Sequence, residues 1–393
     1  MLRSLFSGIS GLRAHQAMMD VTGNNIANIN TTGFKASQTT FEDTLSQMVR
    51  AGGAPQAGNG GTNPAQVGLG VRLGGIETNF SQGAAQTTGR NTDLMIQGDG
   101  FFVVENAGQQ LFTRNGSFSF DTNGSLVTSD GGVVQGWSAT NGVVNTNASE
   151  GPISLPIGTL LQPKPTGLVN LTGNLPADTT NPTPIVSSIT TYDNQGNQVI
   201  LSASFTKITQ NQWQVDLSQG PTTAGPFILD FTNGASPVAT PNPVTVNGVT
   251  VDLSGVTSYS GLSTVSASKQ DGSAAGTIQS FTISQDGTLV GVFTNGLKQT
   301  LAQLAVASFG NPAGLEKAGD SNYRTTANSG AAQLGIAGTA GRGILQQGAL
   351  EMSNVDLAQE FTSLVIAERG FQANSRVITT SDELLQDLVN IKH

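Results

Sequence analysis

Two histidines, His15 and His393, are the only imidazoles in 393 residues, so a Ser-His-Asp relay or a histidine-rich metal site has little to draw on. Acid–base chemistry needs a positioned partner for the imidazole, and none is indicated near His15, which reads as a surface or packing residue of a helix. The absence of cysteine removes disulfides, thiolate chemistry and cysteine-held zinc. Gly68, Gly70, Gly74 and Gly75 are glycine-dense like a phosphate loop, but no Lys-Ser/Thr pair follows and no helix pattern begins there. Tight turns are the expected use. Asp121, Asn123 and Gly124 begin like a calcium loop, as do Asp193 and Gly196, yet the bidentate Glu at the twelfth position and the flanking helices are missing. Hairpin turns explain these residues. No Asp or Glu spacing selects the carboxylate pair of a glycosidase. The reading is therefore not an enzyme, with no catalytic residue, cofactor or metal ligand assigned. Acidic, Asn- and Thr-rich β composition leaves an extracellular adhesin or a glycan-active enzyme as the competing class.

Composition narrows the partners. Charged residues are 11% of the chain, against about a quarter in ordinary proteins, and glycine reaches 50 residues. Hydrophobic content of 37% is low for a globular protein but above that of a disordered one, which favours folded β domains with many turns. A net charge of −9 without a basic stripe argues against nucleic acid, and equally against an anionic membrane surface. After Arg3, the run is interrupted by Ser4, Ser7, Gly8, Ser10, Gly11, Arg13 and His15, so neither a cleaved secretory signal nor a membrane span is expected. The length predicts two or three domains.

The two ends share a pattern that the middle lacks. Leu5, Leu12, Met19 and Ile26 recur every seven residues, with Leu2 and Ile9 on the interleaved row. At the other end the row runs Leu350, Leu357, Leu364, Phe371, Ile378 and Leu385, supported by Phe361 and Leu388. Ser353 or Asn354 is placed to cap that helix, and no proline follows Pro312. Pairing these narrow seams would make a coiled-coil-like stem that carries β domains as an insertion.

Between the ends, Asp99-Gly100, Asn115-Gly116, Asn123-Gly124, Asn141-Gly142, Asn247-Gly248, Asp286-Gly287 and Asn295-Gly296 mark hairpins among strand-like runs such as Phe101 to Val104, Ser117 to Phe120 and Phe281 to Ser284. Proline concentrates between Pro152 and Pro243, including Pro163-Lys164-Pro165 and Pro182-Thr183-Pro184, and sets off an outer domain. Ala51 to Gly61 reads as a loop. The expected fold class is multidomain: mainly β outer domains inserted between N- and C-terminal helices. The expected divisions are 1–70 with 350–393 (helical stem), 71–147 with 300–349 (first β domain) and 148–299 (inserted β domain).

Three blocks carry a family resemblance. Asn24 to Lys35, NNIANINTTGFK, with Asn24, Asn25, Asn28, Asn30, Gly33, Phe34 and Lys35, is followed by Phe41 and resembles the N-terminal signature of the flagellar rod, hook and hook-associated axial proteins. TGRNTDLMIQGDGFFVV (Thr88 to Val104), FTRNGSF (Phe112 to Phe118) and DTNGSLVTSDGGVVQGW (Asp121 to Trp137) resemble the first β domain of that family. Gly348 to Lys392 resembles its C-terminal block. The insertion, with TYDNQGNQVILSASF (Thr191 to Phe205) and Trp213, is similar to the outer domain of hook members rather than to the shorter rod members.

The resemblance implies a stem lining an inner tube, a β middle layer and an outward-facing insertion. It implies a structural subunit of the hook, a curved tube transmitting torque from rod to filament, with a distal-rod or other hook-associated subunit as the alternative. Implied partners are further copies of the chain in a helical homopolymer, the flagellar rod, hook cap and hook-filament junction proteins, and the flagellar export apparatus. Export would be of the type III kind, without signal cleavage, to the extracellular part of the flagellum. A non-closing, head-to-tail contact is the kind that generates such a helical polymer. Terminal helices with apolar seams and no partner are expected to stay largely disordered until assembly.

Overall fold

In the computed structural model, residues 2–55, 60–156, 158, 160–178, 183–231, 237–240 and 243–390 are described. Met1, the linker proline Pro182, part of the Ala51 to Gly61 loop, Lys392 and His393 lie outside them. Helices stand at the two ends, α1 over Leu2–Ala27 and α2 over Leu357–Asn390, and the chain between them is mostly β. By contacts it divides into two compact units, Met1–Leu155, Thr282–Val290 and Thr300–His393 in one, Pro156–Phe281 and Gly291–Gln299 in the other. The expected stem and first β domain thus fall mainly in the first unit, and the expected insertion mainly in the second.

In the first unit, α1 leads into a long hairpin whose strand Ser37–Asp43 pairs antiparallel with Val71–Thr78. A second pair, Ser46–Arg50 with Ala65–Gly68, continues the chain's excursion. The β body has Val133–Thr140, Phe101–Asn106, Gln109–Thr113, Asn322–Arg324 and Glu316–Gly319 side by side. Phe101 to Val104 are all buried, so this strand packs on both faces. On one face Phe101 meets Phe80 at 5.3 Å and Phe309 at 5.6 Å between ring centroids; on the other, Phe102 meets Phe118 at 5.0 Å, all edge-on. The chain returns through Ile344–Gln347 beside Leu94–Gln97, then Ala349–Glu351 beside Ala85–Thr87, before entering α2.

The second unit is a sandwich. One sheet runs Ile185–Tyr192, Gln198–Lys207, Gln212–Gln219, Thr222–Asp230 and Val238–Thr240, all neighbours antiparallel. In the other, Leu168–Asn174 lies parallel to Val249–Thr257 and antiparallel to Ser266–Gln270, and Val244–Val246 joins the outer edge of Val249–Thr257. Trp213, Val215 and Leu217 alternate inward along one strand and meet Phe205, Leu171 and Val251 in a shared core.

The hairpin signals divide by geometry. Asn141-Gly142 and Asn247-Gly248 take positive φ at both positions (52° and 80°, 46° and 82°), as a two-residue hairpin turn requires. At Asp121, whose Oδ1 accepts the Asn123 and Ser125 amides, and at Asp193, whose Oδ1 accepts those of Gln195 and Asn197, the carboxylate organises a longer turn. Asn115-Gly116 is no hairpin turn. Gly116 is packed against the Leu94 carbonyl, leaving no room for a Cβ, and Asn115 Oδ1 accepts the Ser117 amide.

Candidate assembly stem and its anchor

The helices α1 and α2 pack antiparallel, and small residues set their separation. A Cβ added at Gly8 would lie 3.2 Å from Ile378, at Gly11 2.7 Å from the Asn374 amide, and at Gly370 2.5 Å from the His15 ring. Ala367 is buried in α2, and Ala14 is buried in α1 beside Val71 and Leu73. Asn25 Nδ2 donates to Glu360 Oε1 at 3.0 Å near the base of the pair. This is close approach through glycine, which bulky heptad residues would prevent.

The seven-residue rows read from the sequence take a different position. Leu5, Leu12, Met19 and Ile26 are half-buried on α1, as are Leu364, Ile378 and Leu385 on α2, while Leu357 and Phe371 are exposed. Leu350 is not on a helix. It is buried in the strand Ala349–Glu351, whose pairing with Ala85–Thr87 keeps the chain extended until Met352. Nor do Ser353 or Asn354 cap α2: Asp356 Oδ1 accepts the Ala358 and Gln359 amides at 2.8 and 3.3 Å. Asn354 is drawn away to accept the Ala36 amide and donate to the Asn79 and Ser81 carbonyls. His15 is a packing residue, against Gly370 and 6.1 Å from the Phe41 ring.

The motif Asn24 to Lys35 fastens the stem to the β body. Asn25, 1% exposed, makes a two-way amide clamp on Ser37, accepting its N–H at 3.0 Å and donating to its carbonyl at 2.8 Å. Asn28 closes the end of α1, its Nδ2 donating to the Asn24 carbonyl and its Oδ1 accepting from Thr31. Asn24 and Asn30 are exposed. Gly33 has φ +68°, and a Cβ there would lie 2.5 Å from the Asn115 backbone nitrogen; its amide donates to the Glu351 carbonyl. Phe34 lies 5.1 Å under the Lys317 ammonium.

Lys35 completes the anchor. Its Nζ, wholly buried, lies 2.6 Å from Glu351 Oε1 and donates to the Ser81 carbonyl at 2.7 Å. Glu351 also accepts the Gly83 amide and, at 3.4 Å, Arg114 Nη1, which donates to the Gly98 carbonyl as well. Burial pushes the Lys35 ammonium below the usual lysine range even though Glu351 pulls it up, and Arg114 is lowered by the same cause. Two cations share one carboxylate away from water, an arrangement that costs desolvation and holds only while every partner is present. Glu351 and Arg114 escape sequence reading because nothing local distinguishes them from surface charges; Glu351 lies 316 positions from Lys35. No group of three or more acidic or histidine side chains able to hold a metal occurs among the described residues.

Comparison with known proteins follows the same layout. Residues 5–35 match the profile described as "Flagella basal body rod protein", 95–174 "Flagellar hook protein FlgE/F/G D1 domain", 171–273 "Flagellar basal body protein FlaE D2 domain" and 346–391 "Flagellar basal body rod FlgEFG protein C-terminal". The flagellar hook protein FlgE of Treponema pallidum is 38% identical over 462 aligned residues spanning all of both chains. The flagellar basal-body rod protein FlgG of Bacillus subtilis is 34% identical over 393, again spanning both. A crystal structure of Helicobacter pylori flagellar hook protein FlgE2 shares the fold, with TM-score 0.52 at 15% identity, covering 68% of this chain and 100% of that one.

Proposed function

The chain belongs to the flagellar hook protein family, and from that premise we propose that it polymerises through its helical stem into the curved tube that carries torque from rod to filament. It is a structural subunit of the hook, and no catalytic chemistry is assigned to it. The observation that carries the polymer reading is the stem's surface. Its helices meet through glycines, and Phe6, Leu357, Phe361, Val365, Ile366 and Leu384 remain exposed. An apolar load of this kind on a helix pair calls for covering by further protein. Leu5, Leu12, Met19, Ile26, Leu357, Leu364, Phe371 and Leu385 are then rows shared with neighbouring copies, while Ile378 packs against Gly8 within the chain and Leu350 belongs to the anchor. The rod, hook cap, hook-filament junction proteins and export apparatus are the proposed further partners, and the extracellular flagellum the proposed location, reached without signal cleavage.

Electron microscopy tests the assignment, on purified protein and on flagella of a deletion strain complemented with tagged chain. Curved tubes, or label at the hook with motility restored, are expected. Label confined to a straight rod would move the chain to the rod, the reading that the Bacillus relative favours; a protein that stays monomeric while motility is unaffected would end both.

A further inference from the structure

Along α1, on a face turned away from α2, Phe6, Ile9, Arg13 and Ala17 meet Val71 and Leu73 in an open groove of about 510 Å³. The groove is largely apolar, with Phe6 67% exposed. It is also basic: α1 carries Arg3 and Arg13 and no acid before Asp20. Arg72 at the rim is committed to Glu42 at 2.8 Å, whereas Arg13 has no ion pair among the described residues.

The last third of α2 has the opposite character. From Val377 to Asn390 it contains Asp382, Glu383 and Asp387 and no base. Acids near a helix C-terminus are disfavoured by the backbone dipole, so they want an external cation. Glu383 and Asp387 are exposed, make no ion pair among the described residues, and flank Leu384, which is 56% exposed. The α2 side chains that meet α1 include Glu360, Asn374, Val377 and Ile378, with Gly370 beside His15; Glu383 stands half a turn round the helix from Asn374. Among the described residues no ion pair joins the two helices within one chain.

We propose that the α1 groove receives the acidic last third of α2 from a second copy of the chain, with Leu384 entering the apolar floor and Glu383 and Asp387 meeting Arg13. Resting on the polymer reading above, this assigns its lateral contact. A basic groove and an acidic ridge on one stem cannot satisfy each other, but side by side in successive copies they make a heterologous contact that repeats.

Charge reversal with rescue tests it on the full chain, using sedimentation and electron microscopy of tubes, with circular dichroism confirming the fold of each variant. Arg13 is exposed, so Arg13→Glu leaves the units intact and should raise the concentration needed for tubes by roughly tenfold or more, as loss of an interfacial charge pair does. Arg13→Gln should fall between. Adding Glu383→Arg and Asp387→Arg to Arg13→Glu should restore assembly. Tubes from Arg13→Glu at the wild-type concentration would overturn the groove as an interface, and failure of the triple variant to recover would overturn the acidic partner. Wild-type protein that forms no tubes would instead defeat the polymer reading itself.

Discussion

The stem and the outer sandwich are opposite solutions to burying apolar surface. In the sandwich, Trp213, Phe205, Leu229 and Phe231 are at most 1% exposed, and two sheets of one chain close over them. In the stem, the innermost positions are Gly8, Gly11, Ala14, Ala367 and Gly370, while Phe361, Val365 and Leu384 are more than half exposed. The sandwich is complete in a single copy. The stem leaves large apolar side chains on the outside and makes its closest contacts through small ones, so a single copy leaves apolar surface that it does not cover.

That contrast can be broken from either side. The largest effect is expected from Leu364→Asp, which places an unpaired charge on the apolar row: tubes should vanish from sedimentation and microscopy while circular dichroism keeps the β signal of both units. Next is Glu351→Gln, which strands Lys35 and Arg114 without a buried anion; a loss of about 3–5 kcal/mol in denaturant unfolding of the first unit is expected, with the sandwich unmoved. Trp213→Ala should do the reverse, costing the sandwich about 3–5 kcal/mol in thermal unfolding and leaving the anchor intact. Smaller again is Gly370→Ala, whose methyl meets His15; overpacking of about 1–3 kcal/mol should be read as reduced protection of α1 amides in the polymer. The smallest effect is on pH. Because burial holds Lys35 below its ordinary 10.5, the unfolded chain binds more protons between the lowered value and 10.5, so the first unit should gain stability as pH rises through that window. Lys35→Met should flatten that slope.

Much of this was legible in the residues. The terminal helices, the β middle and the hairpins at Asn141-Gly142 and Asn247-Gly248 follow from spacing and turn chemistry that are local. What failed was what depends on distant partners. Leu350 fits a seven-residue row perfectly well, but a strand waiting at Ala85–Thr87 claims it. Asn354 is a plausible cap until the Ala36 amide and two carbonyls outbid the helix for its side chain. The face joining α1 to α2 was hidden because a contact made by glycine leaves no peak of hydrophobicity to detect. The motif Asn24 to Lys35 announced a family, yet the work of Asn25 and Lys35 became visible only with Ser37, Glu360 and Glu351 in place.

The separation of 316 residues between Lys35 and Glu351 also sets a clock. A ribosome delivers the N-terminal motif first, and for nearly the whole of synthesis the carboxylate that must neutralise Lys35 does not yet exist. Contacts this remote in sequence form late, since the intervening chain must first be gathered in. The N-terminal motif therefore stays without its buried anion until the strand Ala349–Glu351 has been made.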